Sequence, residues 1–196
     1  MKLHLASFRI PSAEILESLI GVTLEGLNIA VIANAKDQRT YRAEDVRLTH
    51  RFLGGLGISA QEVDLRDLAN STGVTEALST FGMVYVMGGN GFVLREAMRA
   101  SQFDEAIHGL VEAGLVYASE SAGSVVAGRT LCGTETVDDT SKVDEPIFEG
   151  LGLIDKIIVP HASRRMYAGY LEHMRSTFES EELIILNDNE AYVVND

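Results

Sequence analysis

The stretch that decides the fold runs from Leu115 to Gly128 and reads LVYASESAGSVVAG. Its first four residues form an apolar run, which is typical of a strand covered on both faces. Small residues follow around Ser121, and SVVAG can continue as a helix. A strand, a sharp turn and a helix directly behind it make a nucleophile elbow, with Ser121 at its apex. The usual G-x-S-x-G reads S-E-S-A-G here, and the alternative is a plain turn in which Ser121 caps the helix.

Apolar runs recur on both sides of this stretch and predict most of the remaining strands. They lie at 3–6, 28–33, 83–87, 115–118, 157–159, 183–186 and 192–194, and alternation at 60–65 predicts a more exposed strand. Helical patterns at 42–53, 74–81, 103–111 and 166–178 separate several of them. Alternating strands and helices predict a mostly parallel sheet with helices on both faces. The last two runs, joined by Asn187 to Asn189, predict a C-terminal hairpin.

Composition and charge narrow the class of protein. Of the 196 residues, 46% are apolar and 23% are charged, which excludes a disordered chain. Lys and Arg number 16 against 29 Asp and Glu, a net charge of −13, and this disfavours nucleic acid and anionic membranes as partners. There is no membrane-length apolar run, no secretory signal and only one cysteine, Cys132. We therefore expect a cytoplasmic protein with a single domain over 1–196, without metal or cofactor.

Ligands of open parallel sheets bind at the carboxyl ends of the strands, and two further strand ends carry unusual residues. The run that ends at Met87 continues as GGNG at 88–91, and the run that ends at Val159 continues as Pro160-His161. A serine nucleophile needs a base. Of the five histidines, only His161 directly follows a buried run. It is the candidate base, and the alternative is an ordinary loop histidine.

A complete hydrolytic site also needs an acid and oxyanion donors. The chain order serine, acid, histidine places the acid in the irregular acidic segment 128–149, where Asp138 and Asp139 are adjacent. Each could equally be a surface charge. The backbone N–H groups of Gly89 and Ala122 are the candidate oxyanion donors. The glycines at 88–91 do not fit the dinucleotide fingerprint, and their alternative role is a tight turn.

Two motifs, GGNGF at 88–92 and ESAGS at 120–124, resemble the peptidase E, or α-aspartyl dipeptidase, family of serine peptidases. That family's pattern reads roughly GGNTF followed by G-x-SAG. The resemblance extends to AVIANAKD at 30–37, EVDLRD at 62–67 and FEGLGLIDKIIVPH at 148–161, and so covers nearly the whole chain. It implies a flavodoxin-like three-layer α/β sandwich related to the class I glutamine amidotransferases.

The resemblance implies roles for individual residues. Ser121 matches the nucleophile and His161 the base, while Gly89 and Ala122 match the oxyanion donors. Counting back from His161 without gaps places the acid at Asp139, with Asp138 as the alternative. No metal ligand is implied.

The resemblance also implies a substrate site. Asn90 and Glu120, which stand within the two motifs, are candidates for binding substrate. Arg164 and Arg175 are further candidates, because an arginine can bind the carboxylate of an N-terminal aspartate through two parallel hydrogen bonds. Arg175 lies at the offset from His161 expected of the family's carboxylate-binding arginine. Its alternative role is to cap an exposed helix.

The expected function is a serine exopeptidase acting on short peptides, with an N-terminal aspartate as one option. Its partner is a small peptide, and a homodimer is compatible with it. One alternative is a hydrolase of another amide, as in cyanophycinase, and another is a non-catalytic flavodoxin-like binding module. The set of Ser121, His161 and Asp138 or Asp139 favours the enzyme. Gly91 replaces the family's threonine and Ser119 its first elbow glycine, and these departures bear on specificity more than on chemistry.

Overall fold

The computed structural model describes residues 1–196 and is built around one central sheet. The strands are β1 (Lys2–Ala6), β2 (Asn28–Ile32), β3 (Ser59–Glu62), β4 (Met83–Val86), β5 (Val116–Glu120), β6 (Ile157–Val159), β7 (Leu183–Ile185) and β8 (Ala191–Asn195). Six of them form the sheet in the order β3-β2-β4-β5-β1-β8. All its pairs are parallel except β1 with β8. Counted from β2, the order is the 2-1-3-4 of flavodoxin-like folds, and β1 takes the fifth place.

Helices cover both faces of this sheet. They are α1 (Ala13–Ile20), α2 (Arg42–Gly55), α3 (Ser71–Leu78), α4 (Gly91–Ala100), α5 (Phe103–Glu112), α6 (Ala122–Ala127) and α7 (Ala168–Thr177). In β2, Ile29 and Val31 join the apolar core beneath α1 and α2, while Ala30 and Ile32 join the core beneath α3 to α6. Successive side chains of a strand point to opposite faces, so every central strand is buried on both sides. The predicted three-layer α/β architecture is confirmed.

Strand β5 is longer at its carboxyl end than the apolar run predicts. It continues through Ser119 and Glu120, because these residues pair with Leu5 and Ala6 of β1. On its other side Ser119 pairs with Val86 of β4. Pairing on both sides of Ser119 and on one side of Glu120 keeps these polar residues extended, so that the turn begins at Ser121.

The predicted C-terminal hairpin is wrong. Strand β7 pairs in parallel with β6 in a separate two-stranded sheet, whereas β8 runs antiparallel to β1 at the edge of the central sheet. The apolar side chains of β6 and β7 pack against α7 in a small core of their own, around Tyr170 and Met174. Burial against α7 therefore takes β7 away from β8, and the residues between them form a turn that spans the two sheets.

The acidic segment 128–149 has no long helix or strand. It contains two short 3₁₀ turns at Thr134–Thr136 and Thr140–Lys142, and it lies across the start of α4, where Asn90 binds the carbonyl of Asp139. The longest helix of the chain, α2, has 14 residues, and none of the helices combines the length and apolar character needed to cross a membrane.

Candidate active site

Ser121 occupies the apex of the turn between β5 and α6. Its φ of 48° is unusual for a residue with a side chain, and such conformations cost on the order of 1–3 kcal/mol. The turn is held by a hydrogen bond from the Ser121 N–H to the carbonyl of Ala6. A Cβ on Gly88 would lie 2.8 Å from the Ser121 Cβ, and one on Gly123 would lie 2.4 Å from the Val86 carbonyl oxygen. The neighbouring small residues are thus required for the elbow to close.

His161 brings its ring to this serine from the end of β6. The Ser121 Oγ and the His161 Nε2 are 2.8 Å apart. His161 also has a positive φ, 63°, and its backbone N–H donates to the Ser7 Oγ at 2.7 Å. The Tyr167 ring lies 4.9 Å from the imidazole centroid. The histidine is therefore held through both its backbone and its ring.

The other ring nitrogen of His161 bonds to Asp188, in the turn between β7 and β8. The distance between the His161 Nδ1 and the Asp188 Oδ1 is 2.6 Å. The second oxygen of Asp188 accepts a hydrogen bond from the Arg164 guanidinium. Ser121, His161 and Asp188 thus form one continuous chain of hydrogen bonds, with Arg164 at its outer end.

The surroundings of this chain shift both titratable groups. Burial lowers the pKa of His161, and the hydrogen bond to Asp188 offsets this only in part. Burial alone would raise the pKa of Asp188, but the hydrogen bonds from His161 and Arg164 hold it below its ordinary value. At neutral pH the imidazole is therefore neutral and the carboxylate ionised. A neutral imidazole can accept a proton from the serine hydroxyl.

The expectation that Asp139 or Asp138 contacts the histidine is wrong in the structure. Asp139 is exposed, and its carboxylate accepts from the N–H and hydroxyl of Ser141. Asp138 accepts instead from the N–H of Gly91, at 2.7 Å. Segment 128–149 lies over the first turn of α4, so the Asp138 carboxylate caps that helix. Neither acid is bonded to the imidazole.

One signal in the sequence points to Asp188. It follows the apolar run at 183–186 almost directly, as His161 follows the run at 157–159. If both runs are strands of one parallel pair, their carboxyl ends meet at the same edge. Interpreting the second run as half of a hairpin conceals this relationship.

The two expected oxyanion donors lie beside the serine. Gly89 and Ala122 line the same cavity as Ser121, and the N–H of neither residue donates a hydrogen bond within the chain. Gly89 packs directly against the residues that follow β2, and an added Cβ on Gly89 would lie 2.2 Å from the Ala35 carbonyl oxygen. The adjacent Asn90 N–H donates to that same oxygen at 2.9 Å. Contact with Ala35 thus fixes the Gly89 Cα and the peptide that follows it, directly next to the Gly89 N–H.

Asn90, expected to bind substrate, has its amide engaged within the fold. Its Oδ1 accepts from the N–H groups of Phe92 and Val93 at the start of α4, and its Nδ2 donates to the Asp139 carbonyl. Asn90 is therefore a helix cap. It also ties the segment that contains Asp138 to the glycine turn.

The other three expected substrate residues lie in different places. Glu120 lies beside Ser121, and its carboxylate accepts from the Tyr85 hydroxyl and the Gly88 N–H. Burial raises the pKa of Glu120, although these two bonds oppose the shift. Arg164 binds Asp188 and lies 4.8 Å from the Phe8 ring centroid. Arg175 instead lines a depression with Leu171 and Glu172.

Two cavities meet at Ser121. The first, here called the Asp138 cavity, is lined by Gly89, Ser121, Ala122, Val125, Thr134, Val137, Asp138, Pro160, His161, Tyr167 and Tyr170. The second, here called the basic cleft, is lined by Phe8, Lys36, Arg39, Gly88, Gly89, Glu120, Ser121, His161, Arg164 and Tyr167. Arg175 lines neither, because the face of α7 that turns toward Ser121 bears Tyr170. Arg175 lines an adjoining depression that shares Arg164 with the basic cleft, so its role in binding substrate stays a prediction.

A serine hydroxyl, an imidazole and a carboxylate in line, at the carboxyl edge of a parallel sheet, is the arrangement found in α/β serine hydrolases. The sequence model of peptidase family S51 matches residues 14–196. The chain belongs to this family and is a serine-type peptidase.

Individual relatives agree with this assignment. An uncharacterized peptidase of Listeria monocytogenes is 30% identical over 142 residues, which are 70% of this chain and 67% of that protein. The peptidase E of Streptomyces coelicolor is 31% identical over 147 residues, 74% of this chain and 56% of that protein. Among solved structures, a Listeria monocytogenes protein described as a peptidase E superposes with a TM-score of 0.82 at 23% identity, covering 98% of this chain and 93% of its own. A peptidase from an acI-B1 actinobacterium gives 0.69 at 17% identity, covering 100% and 87%.

Proposed function

We propose that this peptidase is an exopeptidase that hydrolyses short peptides, with Ser121 as nucleophile, His161 as general base and Asp188 as the acid that orients the histidine. The observation that carries the proposal is the unbroken hydrogen-bond chain from the Ser121 Oγ through both ring nitrogens of His161 to Asp188. A base bonded to the nucleophile and held by a third group is the signature of covalent catalysis.

In the first step the Ser121 Oγ attacks the carbonyl carbon of the scissile peptide bond while its proton moves to the His161 Nε2. The carbonyl oxygen becomes an oxyanion, and the N–H groups of Gly89 and Ala122 donate to it. Such donors act where charge develops, and one of them is worth about 10²- to 10³-fold in kcat. Asp188 stabilises the imidazolium that forms.

In the second step the imidazolium gives its proton to the leaving nitrogen, the C–N bond breaks and the free amine departs. An ester between Ser121 and the remaining acyl group is left. Water then attacks this ester while His161 takes a proton from it, and the imidazolium gives that proton to the Ser121 Oγ as the C–O bond breaks and the acid is released. Arg164 holds the second oxygen of Asp188, so that the carboxylate keeps its orientation through both steps.

A preference for an N-terminal aspartate is not part of this proposal. The arginine expected to bind that side chain, Arg175, lines neither cavity at Ser121 but an adjoining depression with Arg164, Leu171 and Glu172. The Asp138 cavity, which Tyr170 of α7 also lines, contains the carboxylate of Asp138 and no lysine or arginine.

Covalent labelling with a fluorophosphonate, measured by intact mass, tests the nucleophile. The wild-type chain should take up one label and lose its activity on a panel of dipeptides. Ser121→Ala should take up none and lose on the order of 10⁴- to 10⁶-fold in kcat. Ser163→Ala, which changes an exposed serine close to His161, is the matched control and should behave as wild type. Labelling of Ser121→Ala to the same extent as wild type would contradict the proposal.

A further inference from the structure

The two cavities that meet at Ser121 have opposite electrostatic character. The Asp138 cavity contains one carboxylate, that of Asp138, and no lysine or arginine. The basic cleft contains Lys36, Arg39 and Arg164. Its one acid, Glu120, already accepts hydrogen bonds on both oxygens. A short peptide with free ends is itself a dipole, positive at its amine and negative at its carboxylate, so the site can bind it in one direction.

Asp138 has one carboxylate oxygen to spare. Its Oδ2 accepts from the Gly91 N–H, and its Oδ1 has no partner in the chain. A Cβ on Gly91 would lie 3.2 Å from that Oδ2, so the glycine permits this close approach. Burial raises the pKa of Asp138 to about 6, and no basic side chain of the protein is paired with it. A cation in the cavity would offset the cost of burying this carboxylate.

Tyr170, in the wall of the same cavity, provides an independent indication. Its side chain is 4% exposed, it lines the same cavity, and its hydroxyl has no hydrogen-bond partner. Buried hydroxyls are almost always paired. An ammonium group has three N–H donors, enough to bond to the phenol oxygen and to the free oxygen of Asp138 together.

We propose that the Asp138 cavity binds the free α-ammonium group of the peptide's first residue, through the Asp138 Oδ1 and the Tyr170 hydroxyl. This inference rests on the proposed function, because it requires the carbonyl of that residue to lie at Ser121. The α-nitrogen is only two bonds from the carbonyl carbon, so a cavity that adjoins the serine is within its reach.

The size of the cavity identifies which ammonium group it takes. Its volume is about 40 Å³, against about 190 Å³ for the basic cleft. This small space next to Ser121 favours an α-ammonium group over one at the end of a long side chain.

The leaving residue then lies in the basic cleft. Arg164 is held by Asp188, whereas Lys36 and Arg39 bind only Asp45, at 3.5 Å and 3.7 Å. Those two cations complement the free carboxylate of the leaving residue. The site thus recognises a peptide by its N-terminus, and Ser121 lies at the carbonyl of the first residue.

The experiment compares two substrates within each protein. Ala-Ala has the α-amine, and propionyl-alanine differs only in having hydrogen in its place. The ratio of their kcat/KM values cancels any loss common to both, including one from a displaced α4. For the wild type we expect a ratio of about 10 to 100, the value of one charged hydrogen bond. Asp138→Asn should bring the ratio close to 1, and Tyr170→Phe should lower it about 2- to 10-fold.

Asp139→Asn is the matched control, since it removes the exposed neighbouring carboxylate and should leave the ratio as in the wild type. 6-Aminohexanoyl-alanine, which has a terminal ammonium but no α-amine, should be as poor a substrate as propionyl-alanine.

Several results would overturn the inference. They are a wild-type ratio of 1, an Asp138→Asn or Tyr170→Phe ratio equal to that of the wild type, or 6-aminohexanoyl-alanine cleaved as well as Ala-Ala. The Tyr170→Phe comparison stands alone if Asp138→Asn fails to fold. If the wild-type chain is labelled by the fluorophosphonate but its ratio is 1, only the inference of an ammonium site is refuted. If the wild-type chain is not labelled at all, the proposed function itself is refuted.

Discussion

His161 and Asp188 are joined by a hydrogen bond of 2.6 Å between Nδ1 and Oδ1, although 27 positions separate them in the chain. Strands β6 and β7 are parallel neighbours, so their carboxyl ends lie side by side and present the two side chains to each other. This relationship makes the carboxylate that follows β7, rather than one in the acidic segment 128–149, the partner of the histidine.

Replacing Asp188 should impair catalysis without unfolding the protein. Asp188→Asn leaves the size of the side chain unchanged but favours the wrong imidazole tautomer, and we expect kcat to fall by about 10⁴-fold. Asp139→Asn and Asp138→Asn should each retain a far larger part of the wild-type kcat on propionyl-alanine. Steady-state kinetics of the three variants decide the matter. A kcat of Asp188→Asn within tenfold of the wild type would exclude this aspartate as the orienting acid.

The pH dependence of labelling should follow the ionisation of His161. Only the neutral imidazole accepts the serine proton, so the rate should rise with pH and level off above the histidine pKa. Burial lowers the pKa of His161, which places the midpoint below the ordinary value of about 6.5. The hydrogen bond that His161 donates to Asp188 raises this pKa, so Asp188→Asn should move the midpoint lower still.

Labelling with a fluorophosphonate is the suitable measurement for this profile, since the reagent has no amine that could titrate or interact with Asp138. A midpoint above 7 in the wild type, or an upward shift in Asp188→Asn, would contradict the assignment of the profile to His161.

Gly89 should tolerate no side chain. In Gly89→Ala the new Cβ would meet the Ala35 carbonyl oxygen at 2.2 Å, so the turn must shift and move its N–H away from the serine. We expect a loss of about 1–3 kcal/mol in the free energy of unfolding and of about 10²-fold or more in kcat. Gly109→Ala is the control, because an added Cβ there has nothing within 4 Å. Gly109 lies inside α5, so Gly109→Ala should raise the free energy of unfolding by up to about 1 kcal/mol. Urea unfolding of both variants, with kinetics, tests this pair.

Ser7 should support His161 through the backbone. Its Oγ accepts from the His161 N–H at 2.7 Å, in a buried position. Ser7→Ala leaves that N–H without a partner, which should cost about 1–3 kcal/mol in the free energy of unfolding. The lost bond should also lower kcat, since the positive φ of His161 loses one of its restraints. Ser79→Ala, at an exposed helix end, should change the free energy of unfolding by no more than about 0.5 kcal/mol. Equal effects of the two substitutions in urea unfolding would refute this role of Ser7.

Local patterns in the sequence are enough to predict the parallel strands of the central sheet and the positions of Ser121 and His161. Strands β2, β4 and β5 are buried on both faces, and a strand of that kind is recognised from its continuous apolar run, whichever strands it pairs with. Ser121 and His161 follow such runs directly, and small residues around the elbow are a local steric requirement. Burial of a strand on both faces and closure of the turn depend on residues that are neighbours in the chain, so the sequence is enough to predict them.

The tertiary structure alone decides which distant residues meet at that site. The run at 183–186 looks the same whether it pairs with β8 or with β6, and only its burial against α7 selects β6 and so brings Asp188 to His161. The same packing turns Tyr170 toward Ser121 and leaves Arg175 in another depression. Asp138 reaches the cavity because the segment 128–149 lies across the start of α4. Strand pairing and helix rotation are set by the free energy of burial over the whole chain, and a linear pattern does not contain that quantity.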